Sequence, residues 1–131
     1  MHAESPRFSP YRFDPERLAG SLRGLLDMPL GLVLVAEHDG EIVGGLMGLL
    51  TPLWFNQSAT VASEVAWWVD PQYRGGAAGV RLLYTFEAWA KERGAAAVCL
   101  SDLVLDGEQP AGSLIDKLGY TLVERSHVKV L

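Results

Sequence analysis

A glycine-rich segment at residues 74–79, Arg-Gly-Gly-Ala-Ala-Gly, links an apolar run ending in Asp70-Pro71 to a helical pattern. Gly75 and Gly76 can adopt positive φ values, and Gly79 lets the backbone approach a ligand closely. The N–H groups in the first turn of a helix have no helical acceptor, and the helix dipole makes that end partly positive. With the charge of Arg74, the segment has the chemistry to bind an anion such as a pyrophosphate.

The same glycines are also compatible with a flexible strand-to-helix connection that binds nothing. Two well-known phosphate loops do not match. The segment lacks the Gly-Lys-Ser/Thr ending of nucleoside-triphosphate loops, and its glycines are not spaced as Gly-x-Gly-x-x-Gly. The residues therefore argue against ATP and, less strongly, against a nicotinamide dinucleotide.

The segment resembles the acetyl-CoA signature of the GNAT acetyltransferase superfamily, Arg/Gln-x-x-Gly-x-Gly/Ala after a strand ending Val-x-Pro. Arg74 and Gly79 match its first and last positions, while Ala77 stands where a middle glycine is usual. Residues 117–120, Lys-Leu-Gly-Tyr, resemble the family's Glu-Lys-Leu-Gly-Phe ending. The resemblance spans residues 30–125.

This resemblance implies an N-acetyltransferase that uses acetyl-CoA and no metal. Acetyl would pass directly, in a ternary complex, to a primary amine of a small molecule or peptide, with the thioester carbonyl polarised by a backbone N–H near Val69. The pantetheine arm would lie between splayed strands ending at Val69 and Ser101. The implied cofactor contacts are Trp68, Val69, Arg74, Gly75, Gly76, Ala77, Ala78, Gly79 and Val80.

Glu64 is the candidate general base. It precedes five apolar residues, 65–69, and partial desolvation raises the proton affinity of a carboxylate, as a base working near neutrality requires. The alternative is that Glu64 solvates the exposed start of a strand. Members of the family often carry a Glu at this end of the strand, which favours the catalytic interpretation.

Ile115 departs from the family pattern, because many relatives have a Tyr there that protonates the leaving thiolate. A thiol has a pKa of about 8.5, so the thiolate can leave without much help. The departure nevertheless leaves open a non-catalytic module that binds acyl-CoA or a partner. A third alternative is a dinucleotide-binding domain with Asp102 as the ribose-binding acid.

The aromatic residues allow several roles. Trp67 and Trp68 alternate along one strand, so one should face the core and the other could line a pocket. Trp54 and Phe55 lie in a predicted loop and could fold onto the core, contact a second subunit or line the acceptor pocket. Cys99 reads as a small core residue in an apolar strand.

The elements that position these residues follow from periodicity. Asp14-Pro15 predicts the start of a helix that ends near Pro29, and Asp39-Gly40 predicts a hairpin turn. We expect an extended arm or edge strand at 1–13 and a loop at 51–61. The predicted strands are 32–37, 41–50, 62–69, 97–101 and 120–130, and the other predicted helices are 79–93 and 111–118. The pattern predicts a mixed, mostly antiparallel α/β sheet with helices on both faces, as in the GNAT fold.

Composition sets the broader limits. With 131 residues, 49% of them hydrophobic, the chain fits a single domain spanning 1–131. A net charge of −5 argues against a nucleic-acid partner and favours an amine partner. Asp102, Asp106 and Glu108 could attract a cation, but they also fit a plain solvated loop. A single cysteine and no basic-apolar leader predict a cytoplasmic protein. The apolar stretch 42–55 is too short to span a membrane, and a homodimer remains open.

Overall fold

The computed structural model describes residues 2–103 and 109–131, so the predicted roles of Asp106 and Glu108 lie outside the described residues. The chain forms two compact units, one of residues 15–101 and one that combines the two termini, 1–14 and 102–131. The prediction of a single domain over 1–131 stays a prediction.

A four-stranded sheet in the order β1-β2-β3-β4 organises the larger unit. Its strands are β1 (Gly31–His38), β2 (Glu41–Leu53), β3 (Asn56–Val69) and β4 (Ala97–Cys99). The first three form an antiparallel meander, and β4 runs parallel to β3. With helices α1 (Pro15–Asp27) and α2 (Ala77–Glu92), this is the mixed, mostly antiparallel α/β architecture that the sequence predicts.

The first hairpin turn forms where Asp-Gly predicted it. Asp39 has φ +50° and Gly40 has φ +81°, the paired positive values of a two-residue turn that matches strand twist. The predicted loop at 51–61 is wrong, because β2 and β3 pair almost to the tip of a second hairpin. The backbone ladder stabilises this extension although four of residues 56–60 have polar side chains.

Trp54 and Phe55 occupy the tip of that second hairpin. Their side chains are 88% and 68% exposed, and their rings meet edge to face with centroids 5.4 Å apart. The alternative that these aromatics fold back onto the core is therefore wrong.

The core of the larger unit lies between α2 and the sheet. The helix buries Leu82, Leu83, Phe86 and Ala90 on one face, as its periodicity predicts. Phe86 is fully buried against Gly48 of β2, where an added Cβ would collide with the Phe86 ring. This close packing fixes α2, and with it the glycine-rich loop at its start.

The smaller unit contains α3 (Gly112–Lys117) and, at its N-terminal end, a 3₁₀ turn, His2–Glu4. The predicted extended arm is wrong, because the carbonyl of Ser5 accepts hydrogen bonds from the N–H groups of Phe8 and Ser9. Pro6 suits such turns, since its fixed φ matches them. The predicted strand at 120–130 is also wrong: these residues lie in no strand, and an alternating pattern cannot reveal whether a pairing partner exists.

None of the helices in the described ranges combines the length and the hydropathy that a bilayer crossing requires.

Candidate functional site

The loop between β3 and α2 has the backbone shape of an anion cradle. A 3₁₀ turn, Pro71–Tyr73, follows β3, and Gly75 then takes φ +82°. Gly76, for which a positive φ was also predicted, has φ −89° and ψ −167° and serves as the N-cap of α2. Gly75 alone therefore supplies the left-handed residue that turns the chain into the helix.

The start of α2 presents backbone donors. Gly76 has no side chain to cap the helix, so nothing on the N-cap residue competes for these donors. Helical geometry directs the N–H of Val80 to the carbonyl of Gly76, whereas the N–H groups of 76–79 have no helical acceptor. These four amides, on residues 76–79, form what we call the cradle.

Arg74 adds a positive charge beside the cradle. Its Nε donates a hydrogen bond of 2.8 Å to the carbonyl oxygen of Val69, which ties the guanidinium to the end of β3. The loop also borders a groove of about 620 Å³ between β1 and α2. Arg74, Arg81 and residues 76–78 line it together with apolar residues such as Leu34 and Leu82.

Gly79 has a packing role that the sequence did not reveal. It is buried, and an added Cβ would lie 3.4 Å from Cζ2 of Trp67 and 3.6 Å from Cγ2 of Val69. The helix therefore approaches the sheet at this glycine.

The strands β3 and β4 separate before β3 reaches the glycine-rich loop. Their ladder pairs only residues 61–63 with 97–99, yet β3 continues to Val69. Residues 64–69 thus have an edge that β4 does not pair. We call this edge the open edge of β3.

Backbone geometry identifies which donors face the open edge. The N–H of Asp70 donates to the carbonyl of Val43 at 2.8 Å, so Val43 and Asp70 are a hydrogen-bonded pair of the antiparallel ladder. Such pairs alternate along a ladder. The N–H groups of Trp67 and Val69 consequently point away from β2, whereas that of Trp68 points toward it. The geometry favours Val69 over Trp68 as a donor at the open edge.

Glu64 lies where the β3–β4 ladder ends. Its Oε2 accepts a hydrogen bond of 3.1 Å from the N–H of Ser101, and its side chain is half-buried. A register shift next to it, with Met47 opposite Ala66 and Gly48 opposite Glu64, leaves Val65 as a bulge. Glu64 is therefore well inside β3, and the alternative that it solvates the start of the strand is wrong.

Trp67 and Trp68 point to opposite faces, as predicted. Trp67 faces α2 at Gly79, and the ring of Trp68 covers Gly45 on the other face. The Nε1 atom of Trp67 is buried and has no hydrogen-bond partner in the part of the chain that the structure describes. Sequence alone gave no signal that this particular tryptophan carries an unsatisfied donor.

The remaining candidates are Cys99, Ile115 and Asp102. Cys99 is exposed, which corrects its interpretation as a core residue, since the alternation of β4 does not say which face is covered. In the smaller unit, Ile115 is a half-buried residue of α3. Burial raises the pKa of the Asp102 carboxyl, and the nearby charge of Asp116 raises it further, against backbone hydrogen bonds that lower it.

Comparison with known proteins identifies the class of protein. The model of the acetyltransferase (GNAT) family matches residues 2–120. The chain therefore belongs to the GNAT acetyltransferase family, and the resemblance drawn from the loop is confirmed.

Solved structures share the fold. An acetyltransferase from Trypanosoma brucei superposes with a TM-score of 0.73 at 22% identity, over 94% of this chain and 84% of that one. A transcriptional regulator from Bacillus halodurans superposes with a TM-score of 0.80 at 21% identity, over 100% of this chain and 89% of that one. An aminoglycoside antibiotic 6'-N-acetyltransferase from Acinetobacter haemolyticus superposes with a TM-score of 0.71 at 18% identity, over 92% of this chain and 83% of that one. Comparison with curated proteins gives no significant sequence match.

Proposed function

We propose that this protein is an N-acetyltransferase that transfers acetyl from acetyl-CoA to a primary amine by direct transfer in a ternary complex. The observation that carries the proposal is the continuity of two features. The open edge of β3 leads through Arg74 and Gly75 directly into the uncapped N-terminus of α2. A thioester with a peptide-like arm and a pyrophosphate needs both features, in this order.

The residues present fit an acyl-CoA. The cradle and Arg74 offer several N–H donors and a positive charge, which suit a pyrophosphate. The N–H groups of Trp67 and Val69 at the open edge suit the amide carbonyls of a pantetheine arm, as an added strand would. The exposed Ala77 and half-buried Ala78 leave the first turn of α2 accessible.

In the proposed mechanism the protein binds and orients acetyl-CoA and the amine, and it accepts one proton. Acetyl-CoA supplies an activated acyl group when bound. The N–H of Val69 donates toward the open edge, where it can stabilise negative charge on an acyl oxygen. Glu64 takes the proton of the attacking amine, directly or through water, from its half-buried position at the end of the β3–β4 ladder.

The acceptor in this proposal is an amine of a small molecule or peptide. A net charge of −5 favours cationic acceptors. The similarity to an aminoglycoside 6'-N-acetyltransferase makes amino sugars a rational first group to test. The proposal also places the protein in the cytoplasm.

One alternative has an observation in its favour. The residue at the family's usual acid position is Ile115, which cannot donate a proton, and a transcriptional regulator shares the fold. A module that binds acyl-CoA without turnover would have the same cradle.

Thiol release from acetyl-CoA separates the two functions. The protein is incubated with acetyl-CoA and a panel of amino sugars, polyamines, amino acids and peptide N-termini. Amine-dependent thiol release supports the proposed enzyme. Binding of acetyl-CoA without turnover of any amine in the panel supports the module.

A further inference from the structure

The indole of Trp67 carries a buried donor that the fold leaves unsatisfied. Its Nε1 has no hydrogen-bond partner among the residues that the structure describes, although it is shielded from solvent. Buried polar groups are nearly always paired, because an unpaired donor loses the hydrogen bond that it makes to water when exposed. An unsatisfied indole N–H therefore points to an acceptor that the polypeptide does not supply.

The ring of Trp67 meets the first turn of α2 at Gly79, whose N–H belongs to the cradle. Of the indole atoms, Cζ2 comes nearest to the Cβ position of Gly79, at 3.4 Å. Cζ2 and Nε1 are bonded to the same ring carbon, so the N–H lies on the same edge of the indole as the atom that meets Gly79. The backbone N–H of the same residue points to the open edge of β3.

We propose that the indole N–H of Trp67 donates a hydrogen bond to an acceptor oxygen of the bound acyl-CoA, and that Trp67 is a positioning residue of the site. This inference rests on the proposed function, because the ligand is the co-substrate named there. Phosphate oxygens and amide carbonyls of the ligand share the required chemistry. Each offers the oxygen acceptor that the indole N–H lacks in the fold.

Trp67→Phe tests the inference, because phenylalanine keeps an aromatic side chain at this position of β3 and has no N–H donor. Trp89→Phe is the matched control: Trp89 stacks on Phe86 with centroids 5.9 Å apart and lies near the end of α2. CoA is titrated calorimetrically into the wild type and both variants. We expect the Kd of Trp67→Phe to rise about 2- to 150-fold, the range for one lost hydrogen bond to a neutral or charged acceptor. The Kd of Trp89→Phe should not change.

A spectroscopic readout does not depend on the stability of the variant. The chain has four tryptophans, and the indole ¹H–¹⁵N signal absent from the Trp67→Phe spectrum identifies Trp67. Should that variant not fold, selective labelling and the signals lost in Trp54, Trp68 and Trp89 variants identify it by elimination. CoA should shift this signal and slow its hydrogen exchange.

Fragments of the ligand locate the acceptor. A shift with 3'-phospho-ADP assigns it to a phosphate oxygen, and a shift with pantetheine assigns it to an amide carbonyl. If the wild type binds CoA while the Trp67 signal does not move and Trp67→Phe binds equally well, the inference is overturned and the proposed function stands. If the wild type does not bind CoA, the proposed function itself fails.

Discussion

The carboxylate of Glu64 accepts a hydrogen bond from the backbone N–H of Ser101 at 3.1 Å, one and two residues beyond the last paired residues of β3 and β4, Ser63 and Cys99. Where the backbone ladder stops, a side chain instead of a backbone carbonyl accepts the hydrogen bond from the N–H of Ser101. Glu64 therefore lies where the two strands part. It marks where the open edge begins, and in the proposed mechanism it is the group that accepts a proton.

Glu64→Gln and Glu64→Ala separate these two roles. Glutamine retains an oxygen that can accept from Ser101 but cannot act as a base, so turnover should fall about 10²- to 10⁴-fold at neutral pH with CoA affinity little changed. Alanine also removes the hydrogen bond, so the stability of Glu64→Ala should fall below that of Glu64→Gln. Steady-state kinetics and thermal unfolding measure the two effects. Wild-type turnover in Glu64→Gln across the pH range would show that Glu64 acts only through Ser101.

Ile115→Tyr tests the departure from the family's acid. If leaving-group protonation limits the rate, a hydroxyl at this position should raise turnover at high pH, where solvent reprotonates a thiolate least readily. CoA affinity should stay roughly the same. Turnover by the variant alone, with an inactive parent, would make the acyl-CoA-binding module the better account of the natural protein. Loss of folding would show that Ile115 is a core residue of α3.

Gly79 should tolerate alanine and not valine. The Cβ of alanine would make ordinary contacts, at 3.4 Å to Trp67 and 3.6 Å to Val69, and alanine favours the helix by about 1 kcal/mol over glycine. The branches of valine would press on the same two side chains and cost about 1–3 kcal/mol. Chemical denaturation measures both free energies of unfolding. Equal stability of the two variants would mean that the helix does not approach the sheet as closely as described.

Asp102 should make the stability of the protein depend on pH. Burial raises the pKa of its carboxyl above the ordinary 3.8, so the folded state holds the proton more tightly and stability falls as pH rises from the ordinary value through the raised one. Asp102→Asn should therefore raise the Tm more at pH 7 than at pH 3. A larger gain in Tm at pH 3 than at pH 7 would contradict this effect of Asp102.

Asp116→Asn is the partner variant for this measurement. The charge of Asp116 raises the pKa of Asp102, so Asp116→Asn should raise the Tm at pH 7, by less than Asp102→Asn does. That part of the gain which acts through Asp102 should vanish in the Asp102→Asn background.

The sequence predicted the elements that have local signals. Asp39-Gly40 specified its hairpin turn through backbone preference, and Asp14-Pro15 preceded a helix that begins at Pro15. The position of the cradle followed in the same way, from glycines between an apolar strand and an amphipathic helix. These features depend on a few consecutive residues, so a single sequence contains them.

Features that depend on distant partners could not be predicted. The extension of β2 and β3 to Trp54 and Phe55 depends on pairing across the hairpin, and the absence of a strand at 120–130 depends on the lack of a partner. The contact of Glu64 with Ser101 joins residues 37 positions apart. The unsatisfied donor of Trp67 exists only because α2 covers that face of β3.

The most direct test of the central claim is a calorimetric titration of CoA into the wild type, Ala77→Asp and Ala88→Asp. Both alanines are exposed on α2, and they lie about 16 Å apart along the helix. A carboxylate at 77 repels a pyrophosphate at the cradle but favours the helix N-terminus by about 0.3–1 kcal/mol, so the variant should fold normally. Ala77→Asp should bind CoA about 10-fold more weakly or worse, while Ala88→Asp should bind it like the wild type. Binding of CoA to Ala77→Asp as tightly as to the wild type would contradict it.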